Sequence, residues 1–87
     1  MQYTVIDVRE PKEFKSGHVA GALNIPPDQL MNGAKQLTDL PKDSNIIVYC
    51  RTGSRSNVAR NILSDLGFTN ITNGINKEQV EAKFGIH

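Results

Sequence analysis

Cys50 is the only cysteine of the chain, and Arg51-Thr52-Gly53-Ser54-Arg55 follows it directly. One thiol cannot close an internal disulfide and is too few for a cysteine-based zinc site. It is therefore a buried hydrophobe, a link between molecules or a reactive nucleophile. Its flanks favour the nucleophile. From Ser44 to Ser64 the chain carries Arg51, Arg55 and Arg60 and no carboxylate. Thiols beside cations or at helix amino termini ionise at about pH 3.5 to 7.5, so Cys50 is expected to be a thiolate near neutrality. A thiolate already formed needs no general base. The same cluster would attract a small anionic substrate or stabilise an anionic leaving group. Gly53, in mid-loop, can supply a backbone angle that other residues resist, and Ser54 or Ser56 could cap a following helix.

The elements around this stretch must hold it at a sheet edge. Tyr3 to Val8 and Asn45 to Tyr49 are short continuous runs rich in Val, Ile and Tyr, which suits parallel strands covered on both faces. Ser54 to Leu66 places Val58, Ala59, Ile62, Leu63 and Leu66 on one helical stripe. Gly67 should end that helix in a Schellman turn, with Phe68 against Leu63. Thr69 to Thr72 then completes a βαβ unit whose crossover is right-handed. Cys50 falls at the carboxyl end of the middle strand, where open α/β sheets bind ligands. Loop N–H groups and the helix dipole would both point positive charge at that place. Elsewhere, Pro11 to Phe14 reads as a one-turn helix and Ala22 to Ile25 as a short strand. Asp28 to Leu40 reads as a helix presenting Leu30, Met31, Ala34 and Leu37, and Lys77 to Phe84 as a last helix with Val80 and Phe84 inward.

Asp7 and Arg9 lie at the carboxyl end of the first strand, near the same sheet edge, and read as a structural ion pair or as anchors of the loop. His18, in a Gly-His turn, reads as a structural hydrogen-bonder. Eighty-seven residues, 38% of them hydrophobic, make one small domain that buries about 60 to 65% of its unfolded surface. Ten Lys plus Arg against nine Asp plus Glu gives a net charge of +1, which argues against nucleic acid as a main partner. No apolar run approaches the roughly 20 residues that span a bilayer, so no membrane partner is expected.

Three stretches, in order, carry a family resemblance: Ile6-Asp7-Val8-Arg9-Glu10-Pro11 through Glu13-Phe14, Gly17-His18-Val19-Ala20-Gly21-Ala22-Leu23-Asn24-Ile25-Pro26, and Val48-Tyr49-Cys50-Arg51-Thr52-Gly53-Ser54-Arg55-Ser56. Together they resemble the rhodanese sulfurtransferases over roughly Val5 to Thr72, the single-domain members, including the small phage-shock type, more than the two-domain enzymes. The resemblance implies an α/β fold, an open parallel sheet of four or five strands with helices on both faces, and a single domain over 1–87. It implies that Cys50 takes the outer sulfur of a donor such as thiosulfate and passes it to a thiophilic acceptor such as cyanide or a thiol. Arg51, Thr52, Gly53, Ser54 and Arg55 would then bind the donor and cradle the persulfide, with Asp7, Arg9 and His18 in support and neither metal nor organic cofactor. The partners implied are the small anionic donor and the acceptor, with a protein acceptor as a variant, and the chain is expected to be a monomer. As written it reads as cytoplasmic; if Met1 stands where a leader was removed, the site is the periplasm.

Two other readings stay open. Phosphatases and arsenate reductases that resemble this fold place five residues between cysteine and arginine, where this chain has four, a loop sized for a single sulfur rather than a tetrahedral oxyanion. The fold also serves as a non-catalytic binding or sulfur-relay module. The chain departs from the family after the last strand. Asn73-Gly74-Ile75-Asn76 stands where an Asn and a paired Gly-Gly are common, and there is no Trp, so one wall of the pocket should differ.

Overall fold

A computed structural model describes residues 3–86. Strands β1 (Thr4–Asp7), β2 (Leu23–Asn24), β3 (Asn45–Cys50) and β4 (Asn70–Asn76) form one four-stranded sheet in the order β2-β1-β3-β4, with every neighbouring pair parallel. Among the described residues the strands number four, the lower of the two numbers expected. The period of two along β3 sorts its side chains. Ile46, Val48 and Cys50 join one apolar cluster, and Ile47 and Tyr49 the other, on the opposite face. Helices α2 (Pro27–Met31) and α3 (Ser54–Asp65) cover the Cys50 face, through Leu30, Ala59 and Leu63. Helices α1 (Pro11–Lys15) and α4 (Lys77–Phe84) cover the other, through Phe14, Val80 and Phe84. No helix among the described residues is long and apolar enough to cross a membrane.

The α3 ending is the Schellman turn expected. Phe68 N–H donates to Leu63 O at 3.1 Å and Gly67 N–H to Ser64 O at 3.0 Å, with Gly67 at φ 102°. The helix expected from Asp28 to Leu40 is instead broken. The chain leaves α2 at Asn32-Gly33, a turn-forming pair, through the same double closure, Ala34 N–H to Gln29 O and Gly33 N–H to Leu30 O, both at 3.1 Å. A 3-10 turn at Lys35–Leu37 follows. Leu30, Ala34 and Leu37 are still buried, whereas Met31 is 73% exposed. The inner stripe of α3 also differs from expectation, because Val58 is exposed and Ser56 is fully buried beside Ala59 and Leu63.

Strand β4 runs past Thr72 because its pairing with β3 continues to Cys50 and Asn76, across a bulge. Val48 pairs with Asn73 and Tyr49 with Ile75, so Gly74 is the extra residue. Ile75 takes φ 75°, a conformation costly for a β-branched residue. The bulge turns Asn73 and Ile75 toward the loop that follows Cys50.

Candidate active site

Cys50 is the last residue of β3, and the strand's period of two sets its sulfur beneath the first turn of α3. Gly53 is the helix N-cap with φ 94°, the left-handed angle expected of a mid-loop glycine, and no side chain caps the helix. The sulfur occupies that place instead. Sγ accepts the Gly53 N–H at 3.1 Å and the Ser56 N–H at 3.4 Å. The Ser56 N–H belongs to the third helical residue, the donor that an N-cap side chain would satisfy. Neither Ser54 nor Ser56 caps, contrary to the sequence-based expectation, because the Ser56 hydroxyl is turned to Cys50 Sγ (3.4 Å) and Asn73 Oδ1 (2.6 Å). Burial pushes the Cys50 thiol up, but hydrogen bonds from Ser56 and from the backbone at Thr52 and Gly53 outweigh it, so the thiol ionises below its ordinary range.

The cysteine forms the floor of a cleft of about 440 Å³ lined by Arg9, Glu13, Ser16, Arg51, Asn76, Lys77 and Glu78. Arg51 is exposed at its mouth. Thr52 and Ser54 are exposed too, and their hydroxyls lie 3.3 Å from one another rather than toward the sulfur. Arg55 is held by α1: its two terminal nitrogens donate to Glu13 Oε1 at 2.8 Å and Oε2 at 3.1 Å. This fork-to-fork pair depresses the Glu13 carboxyl to about 2 and raises Arg55. The charge read along the sequence as +3 is therefore lower in space. Arg60 lies on the outer side of α3, bonded to Asn57 at 2.8 Å.

Asp7 and Arg9 do form an ion pair, with Arg9 Nη2 2.6 Å from Oδ2 and Nε 2.9 Å from Oδ1. Asp7 is fully buried and also accepts the Tyr49 hydroxyl at 2.9 Å, and that hydroxyl accepts the Val19 N–H at 3.0 Å. Burial raises the Tyr49 phenol far above its ordinary value, so it stays a neutral donor. Arg9 Nη2 donates as well to Gly17 O at 2.6 Å, which ties the Gly17-His18 turn to the end of β1. His18 Nδ1 lies 2.9 Å from Phe14 O and its ring stacks on Phe14 at 3.7 Å, a bracing contact between the turn and α1.

Sequence reasoning passed over three contributors. Ser56 reads in the sequence only as one of two candidate caps, although a serine three and seven residues before Ala59 and Leu63 on the buried stripe is itself a signal that its hydroxyl has an inward partner. Asn73 was noted only as a departure point. Its Oδ1 accepts Ser56 Oγ–H and Ile75 N–H (3.0 Å), and its Nδ2 donates to Gly53 O at 3.1 Å. Glu13 sits 42 positions from Arg55, and no local pattern could join them.

The rhodanese-like domain model matches residues 1–77. Thiosulfate sulfurtransferase PspE of Escherichia coli is 39% identical over 69 residues, 78% of this chain and 64% of that protein. The chloroplastic thiosulfate sulfurtransferase 16 of Arabidopsis thaliana is 34% identical over 92 residues, 93% of this chain and 75% of that protein. Among solved structures, a rhodanese with anions from E. coli superposes with a TM-score of 0.79 at 32% identity, covering 90% of this chain and 91% of that one. A rhodanese-related protein of Thermoplasma volcanium gives 0.73 at 38% identity over 95% of this chain and 79% of that one. The chain spans about half to two thirds of the length of several curated relatives. With the parallel sheet, the cysteine at its carboxyl edge and these matches in agreement, the chain belongs to the rhodanese-like domain family.

Proposed function

We propose that residues 1–87 act as one sulfurtransferase domain that carries a sulfane sulfur on Cys50. The observation that carries the reading is the Cys50 sulfur seated as acceptor for the Gly53 and Ser56 N–H groups at the amino end of α3. These donors favour a thiolate without a neighbouring base. The thiolate attacks the outer sulfur of an anionic donor such as thiosulfate. The new S–S bond forms as the bond to the sulfonate sulfur breaks, and sulfite leaves with the electron pair. A thiophilic acceptor, cyanide or a thiolate, then attacks the outer persulfide sulfur and Cys50 leaves as thiolate, so no net oxidant is needed.

Within this reading, Arg51 is the cation at the cleft mouth that draws in the donor, and Arg55, shared with Glu13, helps to bear the charge of departing sulfite. The backbone from Arg51 to Arg55, with Thr52, Gly53 and Ser54 between, shapes the space for the outer sulfur. The relatives named as thiosulfate sulfurtransferases support the choice of donor. Intact-protein mass spectrometry after incubation with thiosulfate tests it. The expected result is a gain of one sulfur atom on Cys50, lost again on adding cyanide and absent in a folded Cys50→Ala variant. An unmodified, free thiol in the folded protein would overturn the reading in favour of a binding module.

A further inference from the structure

The hydrogen bonds around Asn73 fix the direction of a proton next to the sulfur. Asn73 Oδ1 accepts the Ile75 N–H at 3.0 Å and Nδ2 donates to Gly53 O at 3.1 Å, so the amide cannot be turned over without setting donor against donor and acceptor against acceptor. An amide oxygen only accepts. The 2.6 Å contact between Ser56 Oγ and Asn73 Oδ1 therefore uses the single hydroxyl proton of Ser56, and what Ser56 turns to Cys50 Sγ at 3.4 Å is a lone pair.

A lone pair suits a thiol, which can donate S–H to it. It does not suit a thiolate, which in this arrangement is held by backbone N–H groups, those of Gly53 and Ser56 with Thr52 beside them, and gains the Ser56 hydroxyl only when that hydroxyl turns. When Cys50 loses its proton to water in the cleft, the Ser56 hydroxyl must turn from Asn73 to the sulfur, or face it unfavourably. We propose that Asn73 is a positioning residue for the nucleophile: by competing for the Ser56 proton it holds Cys50 toward the thiol and leaves the thiolate, once formed, less stabilised and more reactive. The relevance to sulfur transfer rests on the function proposed above, but the competition itself is a property of the free thiol.

The test is a double-mutant cycle read as the pH dependence of Cys50 alkylation by iodoacetamide, which reports the thiolate whether or not sulfur transfer occurs. Asn73→Ala frees the Ser56 hydroxyl and is expected to move the alkylation midpoint down by about one unit, a tenfold gain in thiolate at low pH. In the Ser56→Ala background the same Asn73 change should leave the midpoint where it is, because no proton remains to redirect. The charged groups facing the sulfur are Arg51 and Arg55 on its own loop and helix, Glu13 from α1, Arg9 from the segment after β1, itself paired with Asp7, and Lys77 and Glu78 from α4. All are retained in every variant. An equal shift in both backgrounds would assign Asn73 to loop scaffolding through Gly53 O and overturn the proposal, as would no shift, or an upward one, in the single variant. Ser56→Ala alone, with thermal unfolding followed alongside, separates these results from a loss of fold.

Discussion

Gly74 is where one residue type is demanded by its neighbours. A Cβ there would collide with Val80 Cγ2 and lie 2.9 Å from Ile47 Cγ2. Both are fully buried, so neither can yield cheaply. Gly74→Ala is expected to cost about 1 to 3 kcal/mol, as overpacking does, seen as a lower midpoint in urea unfolding. Ile75 is the opposite case, a β-branched side chain at φ 75° where glycine would fit without strain. Its Cγ2 would meet a Cβ at Gly53 at 3.4 Å, so the side chain backs the loop that shapes the Cys50 pocket. Where a paired glycine is common, this chain thus packs Ile75 against the loop, and it is the next residue, Asn76, that lines the cleft.

At the scale of elements, the Glu13–Arg55 fork joins α1 to the first turn of α3 across the cleft. Because Glu13 titrates at about 2 in the folded protein, below its ordinary 4.5, the contribution is present above about pH 4.5 and is lost as pH falls toward 2. Glu13→Gln is therefore expected to lower stability at neutral pH by about 1 kcal/mol or less, the scale of a partly exposed pair. The difference from the parent should vanish near pH 2. Denaturant titrations at both pH values check it, and a constant difference would assign the effect to packing.

At the scale of the molecule, Asp7, Arg9, Tyr49 and Val19 bind the ends of β1 and β3 to the Gly17-His18 turn on the face opposite Cys50. The network keeps the sheet edge at a fixed spacing beneath the cleft. Tyr49→Phe removes the acceptor of the buried Val19 N–H and one donor to Asp7, and is expected to cost about 1 to 3 kcal/mol by chemical denaturation. That is a large share of what a domain of this size holds.

The sequence by itself determined the parallel βαβ frame, the Schellman ending at Gly67, the place of Cys50 at the strand's carboxyl end and a structural role for Asp7 and Arg9, left open there between an ion pair and loop hydrogen bonds, because apolar period, glycine position and residue order act over short spans. It misjudged the segment after Met31, where Asn32-Gly33 outweighed an apolar spacing that continued past it, and the inner stripe of α3, where a polar Ser56 replaced Val58. Only the tertiary structure decided which cations face the cleft unpaired and which donors reach the sulfur. Glu13 meets Arg55, and Asn73 meets Ser56 and Gly53, across the fold rather than along the chain. Hydrogen-bond direction and charge pairing depend on ångström-scale distances between elements, and periodicity in a sequence carries no record of those.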